Sequence, residues 1–148
     1  MFVGEAPGRD EDLEGAPFVG RSGRLLDRLV HEEMGLRRED YYVANVLKCR
    51  PPNNRDPRPE EISACAHFLD AQVAFVGPKV VVALGNFAAR YLLQTTERIT
   101  RLRGRTHQWR DGIVLVPTFH PAAALRAGGS VLTEMRADLV RAKRALAE

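Results

Sequence analysis

Cysteine is scarce in this chain. Cys49 and Cys65 are the only two among 148 residues, too few for a disulfide scaffold, and a cytoplasmic setting disfavours a disulfide in any case. Each is open to two readings, a small buried side chain or a metal ligand. Long apolar runs are missing too, since none approaches the roughly eighteen residues of a membrane-spanning helix. No charged-then-apolar leader ending in small residues opens the sequence, so the default expectation is a cytoplasmic protein with no membrane partner. Repeats, low-complexity tracts and linker-like stretches are also lacking, which leaves a single domain over residues 1–148. No segment matches a P-loop or a dinucleotide fingerprint. That argues against an ordinary nucleotide-binding protein.

What is present is ample apolar material and an uneven spread of charge. Hydrophobic residues make up 45% of the chain, enough to bury a continuous core. The formal net charge of +3 hides a gradient. Residues 1–97 carry 12 Lys and Arg against 15 Asp and Glu, whereas residues 98–148 carry 10 against 4. A basic C-terminal third suits a phosphate-rich partner, because each cation near a phosphate releases condensed counterions. An Arg-rich solvated surface has the same composition.

Four short apolar runs read as buried strands: Met1–Val3, Tyr42–Leu47, Val80–Leu84 and Ile113–Val116. Their β-branched content and lack of alternation favour parallel strands covered on both faces. Between them lie helical patterns. Leu25, Leu26, Leu29, Val30 and Met34 share a face, with Gly35 as a stop. Pro59 opens a helix whose stripe is Ile62, Cys65, Leu69, Val73 and Val76. Asn86–Leu93 forms a short helix, and Leu132–Ala147 a final one that buries Leu132, Met135, Leu139 and Leu146. This alternation predicts an α/β fold, a three-layer α/β/α sandwich around a four-stranded, mostly parallel sheet. Ligands of such sheets sit beyond the carboxyl ends of the strands. Here those ends are Gly4–Gly8, Asn45–Cys49, Gly85–Asn86 and Thr118–Pro121. The first strand is short against the usual five or six residues or so, and a native chain beginning further upstream is expected.

The unusual residues fall at those strand ends. Gly4-Glu5-Ala6-Pro7-Gly8 is a glycine-bounded turn, where backbone can approach a ligand closely and aim amides at it. Phe18, between Pro17 and Gly20, fits a core plug or a stacking platform for a base. Asn45 ends an apolar strand and must find hydrogen-bond partners there or cost stability. A fixed carboxamide offers one acceptor and two donors, which matches the N3–H and O4 of uracil and opposes the reversed pattern of cytosine. His120 stands before Pro121 in Thr118-Phe119-His120-Pro121, its backbone restricted and its side chain turned toward the crevice.

Taken in order and spacing, Gly4–Gly8, Pro17–Gly20, Asn45–Pro52 with Asn54-Arg55, and His120–Arg126 closely resemble the family 4 uracil-DNA glycosylases, over almost the whole chain. The resemblance implies a DNA-repair hydrolase that releases uracil from uracil-containing DNA. It implies that Phe18 stacks on the extruded base, that Asn45 reads its polar edge and that His120 polarises O2 of the departing uracil. Gly4, Glu5 and Ala6 would line the pocket, and Glu11 would crowd the position of a thymine methyl. A related family carries an Asp in the first motif to orient water. The matching position here is Ala6, so general-base help is weak or comes from Glu5. By the same analogy Leu125 and Arg126, in a short loop after the histidine, wedge into the DNA and hold a phosphate; a leucine merely covering a helix is the other reading. The Arg98, Arg101, Arg103 and Arg105 stretch either adds backbone contacts or is a solvated hairpin.

The cysteines depart from the family pattern. Family 4 members hold a 4Fe–4S cluster with four cysteines. Cys49 and Cys65 match the later two positions, and the earlier pair has no counterpart among residues 1–148. Two thiolates do not satisfy such a cluster. A missing upstream segment and a form without the cluster are both expectations that account for this. Two rivals remain. One is a truncated or inactive relative that binds DNA or uracil without turnover. The other is a sister glycosylase with a His-bearing basic insertion after the second strand, disfavoured because residues 48–54 contain no His.

Overall fold

The computed structural model describes the backbone of residues 1–148 and every side chain except that of Asn54. Asn54 belongs to one of the family-like segments, and its side chain lies outside the described residues. Five strands form one sheet: β1 (Phe2–Gly4), β2 (Val43–Asn45), β3 (Val80–Leu84), β4 (His107–Gln108) and β5 (Val114–Thr118). Their spatial order is β2-β1-β3-β5-β4. All pairings are parallel except that of β4 with β5. The sequence predicts four of these strands, β3 to the residue and the other three with ends shifted by one or two residues. It misses β4, because two residues carry no periodicity.

Proline inside β5 has a simple reason. Pro117 lies beyond the two residues of β5 that pair with β4, so its missing N–H leaves no ladder bond unmade on that side.

The helices are α1 (Arg9–Glu14), α2 (Arg21–Met34), α3 (Pro59–Val76), α4 (Gly85–Leu93), α5 (Ile99–Leu102), α6 (Pro121–Ala127) and α7 (Gly129–Ala147). They cover both faces of the sheet, giving the three-layer sandwich. The strands divide their side chains by the two-residue pleat. Phe2, Val80, Val82 and Val116 meet Leu26, Leu29, Met135 and Leu139 of α2 and α7. Val3, Val81, Ala83 and Leu115 meet Leu69, Val73, Ala88 and Leu92 of α3 and α4. No helix among the described residues is long and apolar enough to cross a membrane.

Two details of the sequence reading change. Leu146 is 40% exposed; Ala142 and Ala145 are buried on that turn instead, because small residues let α7 lie closer to the sheet. The α3 stripe is thinner than expected, with Leu69 and Val73 buried while Ile62, Cys65 and Val76 are half-buried. A buried polar centre, illegible in the sequence, joins three elements. Asp138 on α7 is fully buried and accepts from Arg103 Nε at 2.8 Å and from Thr118 Oγ1 at 2.7 Å. Arg103 is therefore neither solvated nor free, and the hairpin reading fails for that residue.

Candidate active site

A cleft of about 1050 Å³ opens beyond the carboxyl ends of β1, β2, β3 and β5. Glu5, Ala6, Glu11, Phe18, Asn45, His120 and Arg126 all line it. Gly85 and Asn86, at the β3 end, line it too. The four strand ends named from sequence thus converge on one cavity.

Gly4 makes that convergence possible. A Cβ built there would stand 2.7 Å from Asn45 Oδ1 and 2.8 Å from Phe18 Cζ. Any side chain would push apart the carboxamide and the ring that meet over it. Phe18 itself is buried and sits at φ +54°, a left-handed conformation that costs a residue with a Cβ of order 1–3 kcal/mol. Two features hold it there. A Cβ on Gly23 of α2 would lie 1.8 Å from the Phe18 carbonyl oxygen, so α2 packs onto this backbone only as glycine. Glu11 supplies the second, accepting from Gly8 N through Oε1 and from Val19 N and Gly20 N through Oε2 at 2.9–3.0 Å. Its carboxylate ties α1 to the Phe18 loop.

Asn45 closes β2 and is 6% exposed. Its carbonyl accepts from Lys48 Nζ at 2.6 Å, and Lys48 also donates to Gln72. Its side-chain Oδ1 has no hydrogen-bond partner, the one such buried side-chain atom among the described residues. A buried acceptor without a partner costs about 1–3 kcal/mol. Here it stands at the wall of a cleft, ready for a donor.

His120 caps α6. Its Nδ1 accepts from Ala122 N at 3.0 Å, which leaves the proton of a neutral ring on Nε2. Burial pushes its pKa down to about 4; Arg126 adds to the depression and Glu11 opposes it. The ring is therefore uncharged near neutral pH, with one N–H free to donate. Its centroid lies 5.6 Å from that of Phe18. Glu5, half-buried, has its carboxyl raised above the usual range, first by burial and then by the nearby charge of Asp56. Asp56 also lines the cleft. Sequence reasoning missed it, since an Asp-Pro pair ahead of a helix reads as a turn.

Leu125 and Arg126 lie on α6 rather than in a loop. The His120 cap and Pro121 in the first turn start a helix that the alanines of residues 122–124 continue. Leu125 is 41% exposed and Arg126 reaches the cleft.

A model of the uracil DNA glycosylase superfamily matches residues 1–145. The chain belongs to that superfamily. Within it, the chain is similar to the type-4 uracil-DNA glycosylases. It is 52% identical over 127 residues to that of Thermotoga maritima, covering 85% of this chain and 66% of the relative. Against that of Archaeoglobus fulgidus it is 48% identical over 132 residues, 84% and 66%. A type-5 enzyme of Thermus thermophilus is 32% identical over 126 residues, 76% and 55%. The chain spans between three-fifths and two-thirds of the type-4 relatives of Sulfurisphaera tokodaii and Thermotoga maritima.

The cysteines of this superfamily member stand apart from the cleft wall. Cys49 is exposed on the segment after β2, and Cys65 is half-buried on α3. Lys48, next to Cys49 in the chain, is within electrostatic range of Cys65. Burial lowers the Lys48 pKa and Cys65 works against that. Among the described residues no group of three or more His, Cys, Asp or Glu side chains is arranged for a metal. Two cysteines alone do not make a four-thiolate set.

Proposed function

We propose that this chain is the catalytic body of a uracil-DNA glycosylase, which hydrolyses the N-glycosidic bond of deoxyuridine in DNA and releases free uracil. One observation carries the reading most of the way: a buried Asn45 Oδ1 without a partner and a neutral His120 share one cleft walled by Phe18. The extruded base would lie along Phe18, and leaving the stack costs it a few kcal/mol. Oδ1 of Asn45 accepts from uracil N3–H while the amide nitrogen donates to O4. Cytosine presents an acceptor and a donor there in reverse and leaves both buried groups unpaired, a mismatch strong enough for discrimination. Glu11, pinned by three amides, is a stiff wall that a thymine C5 methyl would have to displace.

As N1–C1′ breaks, its electron pair stays with the base, and negative charge gathers on O2 and N1. His120 Nε2–H donates to O2, a preorganised donor of the kind that lowers such barriers most. Water adds to the oxocarbenium-like C1′ and gives its proton to Glu5 or to solvent; the uracil anion later takes a proton from solvent. Leu125 would fill the gap in the duplex and Arg126 would hold a flanking phosphate.

Cys49 and Cys65 serve, in this proposal, as two of the four thiolates of a 4Fe–4S cluster, the other two coming from outside residues 1–148. That group is structural and takes no part in the steps above. Iron bound per chain, measured on protein extended upstream, tests it: stoichiometric iron that Cys65→Ser abolishes supports it, and an iron-free extended protein ends it.

The activity itself is tested by incubating the chain with uracil-containing single-stranded DNA and quantifying free base. Release of uracil, with none of cytosine from a matched strand, is expected. Binding without release would favour the inactive-relative reading.

A further inference from the structure

Three arginines on the α4–β4 connection have no partner among the described residues. Arg98, Arg101 and Arg105 are exposed, and none makes an ion pair or side-chain hydrogen bond with any described residue. Elsewhere Arg28, Arg38, Arg55, Arg110 and Arg136 each pair with a carboxylate, and Arg9, Arg21, Arg24 and Arg144 are exposed without one; the three on this segment differ in being tied to the cleft. The segment is also tied to the rim of the cleft at two points and to the core behind it at a third. Arg90, a cleft residue, donates Nε to the Glu97 carbonyl at 2.9 Å. Asn86, another, accepts from Ile99 N at 2.7 Å. Arg103 pairs with Asp138, and its guanidinium lies 5.7 Å from the ring centroid of Phe119, the neighbour of His120. A hollow of about 350 Å³ lies against the segment, lined by Glu97, Arg101, Arg103, Gly104 and Arg105.

We propose that Arg98, Arg101 and Arg105 form a phosphate track, fixed beside the cleft by the Arg103–Asp138 root, that carries the DNA backbone away from the extruded nucleotide. The inference rests on the glycosylase reading and adds the surface on which the strand lies. Guanidinium groups match phosphate oxygens in paired geometry, and unpaired ones bind without first breaking an internal bond. Exposed cations not engaged in an ion pair suit a polyanion. The pairing of Arg103 spends that cation on position, which leaves the three around it for the ligand.

The test compares wild type, Arg101→Gln/Arg105→Gln and a control, Lys143→Gln/Arg144→Gln. The control removes the same charge from α7 near Leu146, whose carbonyl accepts from Lys79, the residue just before β3, at the end of the sheet opposite the cleft. Affinity for a long uracil-free duplex is measured against salt concentration. Each lost phosphate contact lowers the slope of log affinity against log salt by about 0.9, so the double variant falls by about 1.8. The control keeps the wild-type slope. In single-turnover cleavage below saturation, the double variant loses more on a long uracil-containing duplex than on a uracil-containing trinucleotide. Equal slopes for wild type and the double variant, or an equal drop in the control, overturn the track. The glycosylase reading fails separately, if wild type releases uracil from neither substrate.

Discussion

The two faces of the sheet are built to different standards. On one, α2 buries six of its fourteen residues and α7 buries Met135, Leu139, Ala142, Ala145 and Asp138. On the other, α4 buries Gly85, Ala88, Ala89 and Leu92, but α3 runs for eighteen residues and buries only Leu69 and Val73. Phe68 and Phe75 on α3 are 51% and 89% exposed. The chemistry divides along the same line. Phe18 is wedged against α2, and His120 caps α6, which packs on both α2 and α7. Cys65 rides on α3. Groups that must be held to a fraction of an ångström sit where packing fixes them, and Cys65 sits where few side chains are buried.

The comparison can be broken or sharpened by substitution. The largest effect is expected on the packed face: Leu139→Ala removes a fully buried side chain and costs about 2–5 kcal/mol, read from chemical denaturation. His120→Ala comes next, with a loss of about 10²–10³-fold in single-turnover cleavage and a stability cost of about 0.5–2 kcal/mol from the lost α6 cap. Glu5→Ala loses less than His120→Ala; equal or reversed losses would move the main catalytic role away from the histidine.

The pH dependence separates the same two groups. His120 acts in its neutral form, so its acid limb falls near pH 4 rather than near the ordinary histidine value. Any limb above that belongs to Glu5, whose carboxyl is raised, and disappears in Glu5→Gln. The sign for stability follows from the same shift. Unfolded His120 takes up its proton first, so its contribution is full above about pH 6.5 and is lost as the pH falls toward 4. The smallest effect is expected on α3, where Phe75→Ser changes stability by no more than about 0.5 kcal/mol.

Much of the site was legible because strand ends and odd residues coincide. Asn45 and His120 each interrupt an apolar pattern at a carboxyl end, and parallel topology brings such ends together. The Phe18 loop could be marked as unusual but not aimed, since its geometry depends on Gly23, five residues away on α2, and on the three amides held by Glu11. The helix bearing Leu125 and Arg126 was hidden because His120 serves as its cap as well as a functional residue. Asp138 and Arg103 were unreadable for a different reason: a charged residue on a helix reads as solvated unless its distant partner is known. β4 and α5 are too short to leave a period.

The ring of His120 offers the most direct test of the central claim, by nitrogen-15 NMR with and without free uracil. A neutral ring protonated on Nε2, holding down to about pH 5, is predicted. Its Nε2 resonance should move when uracil binds wild type and stay in place in Asn45→Ala. A ring that titrates near the ordinary histidine value, that carries its proton on Nδ1, or that ignores uracil would contradict the account.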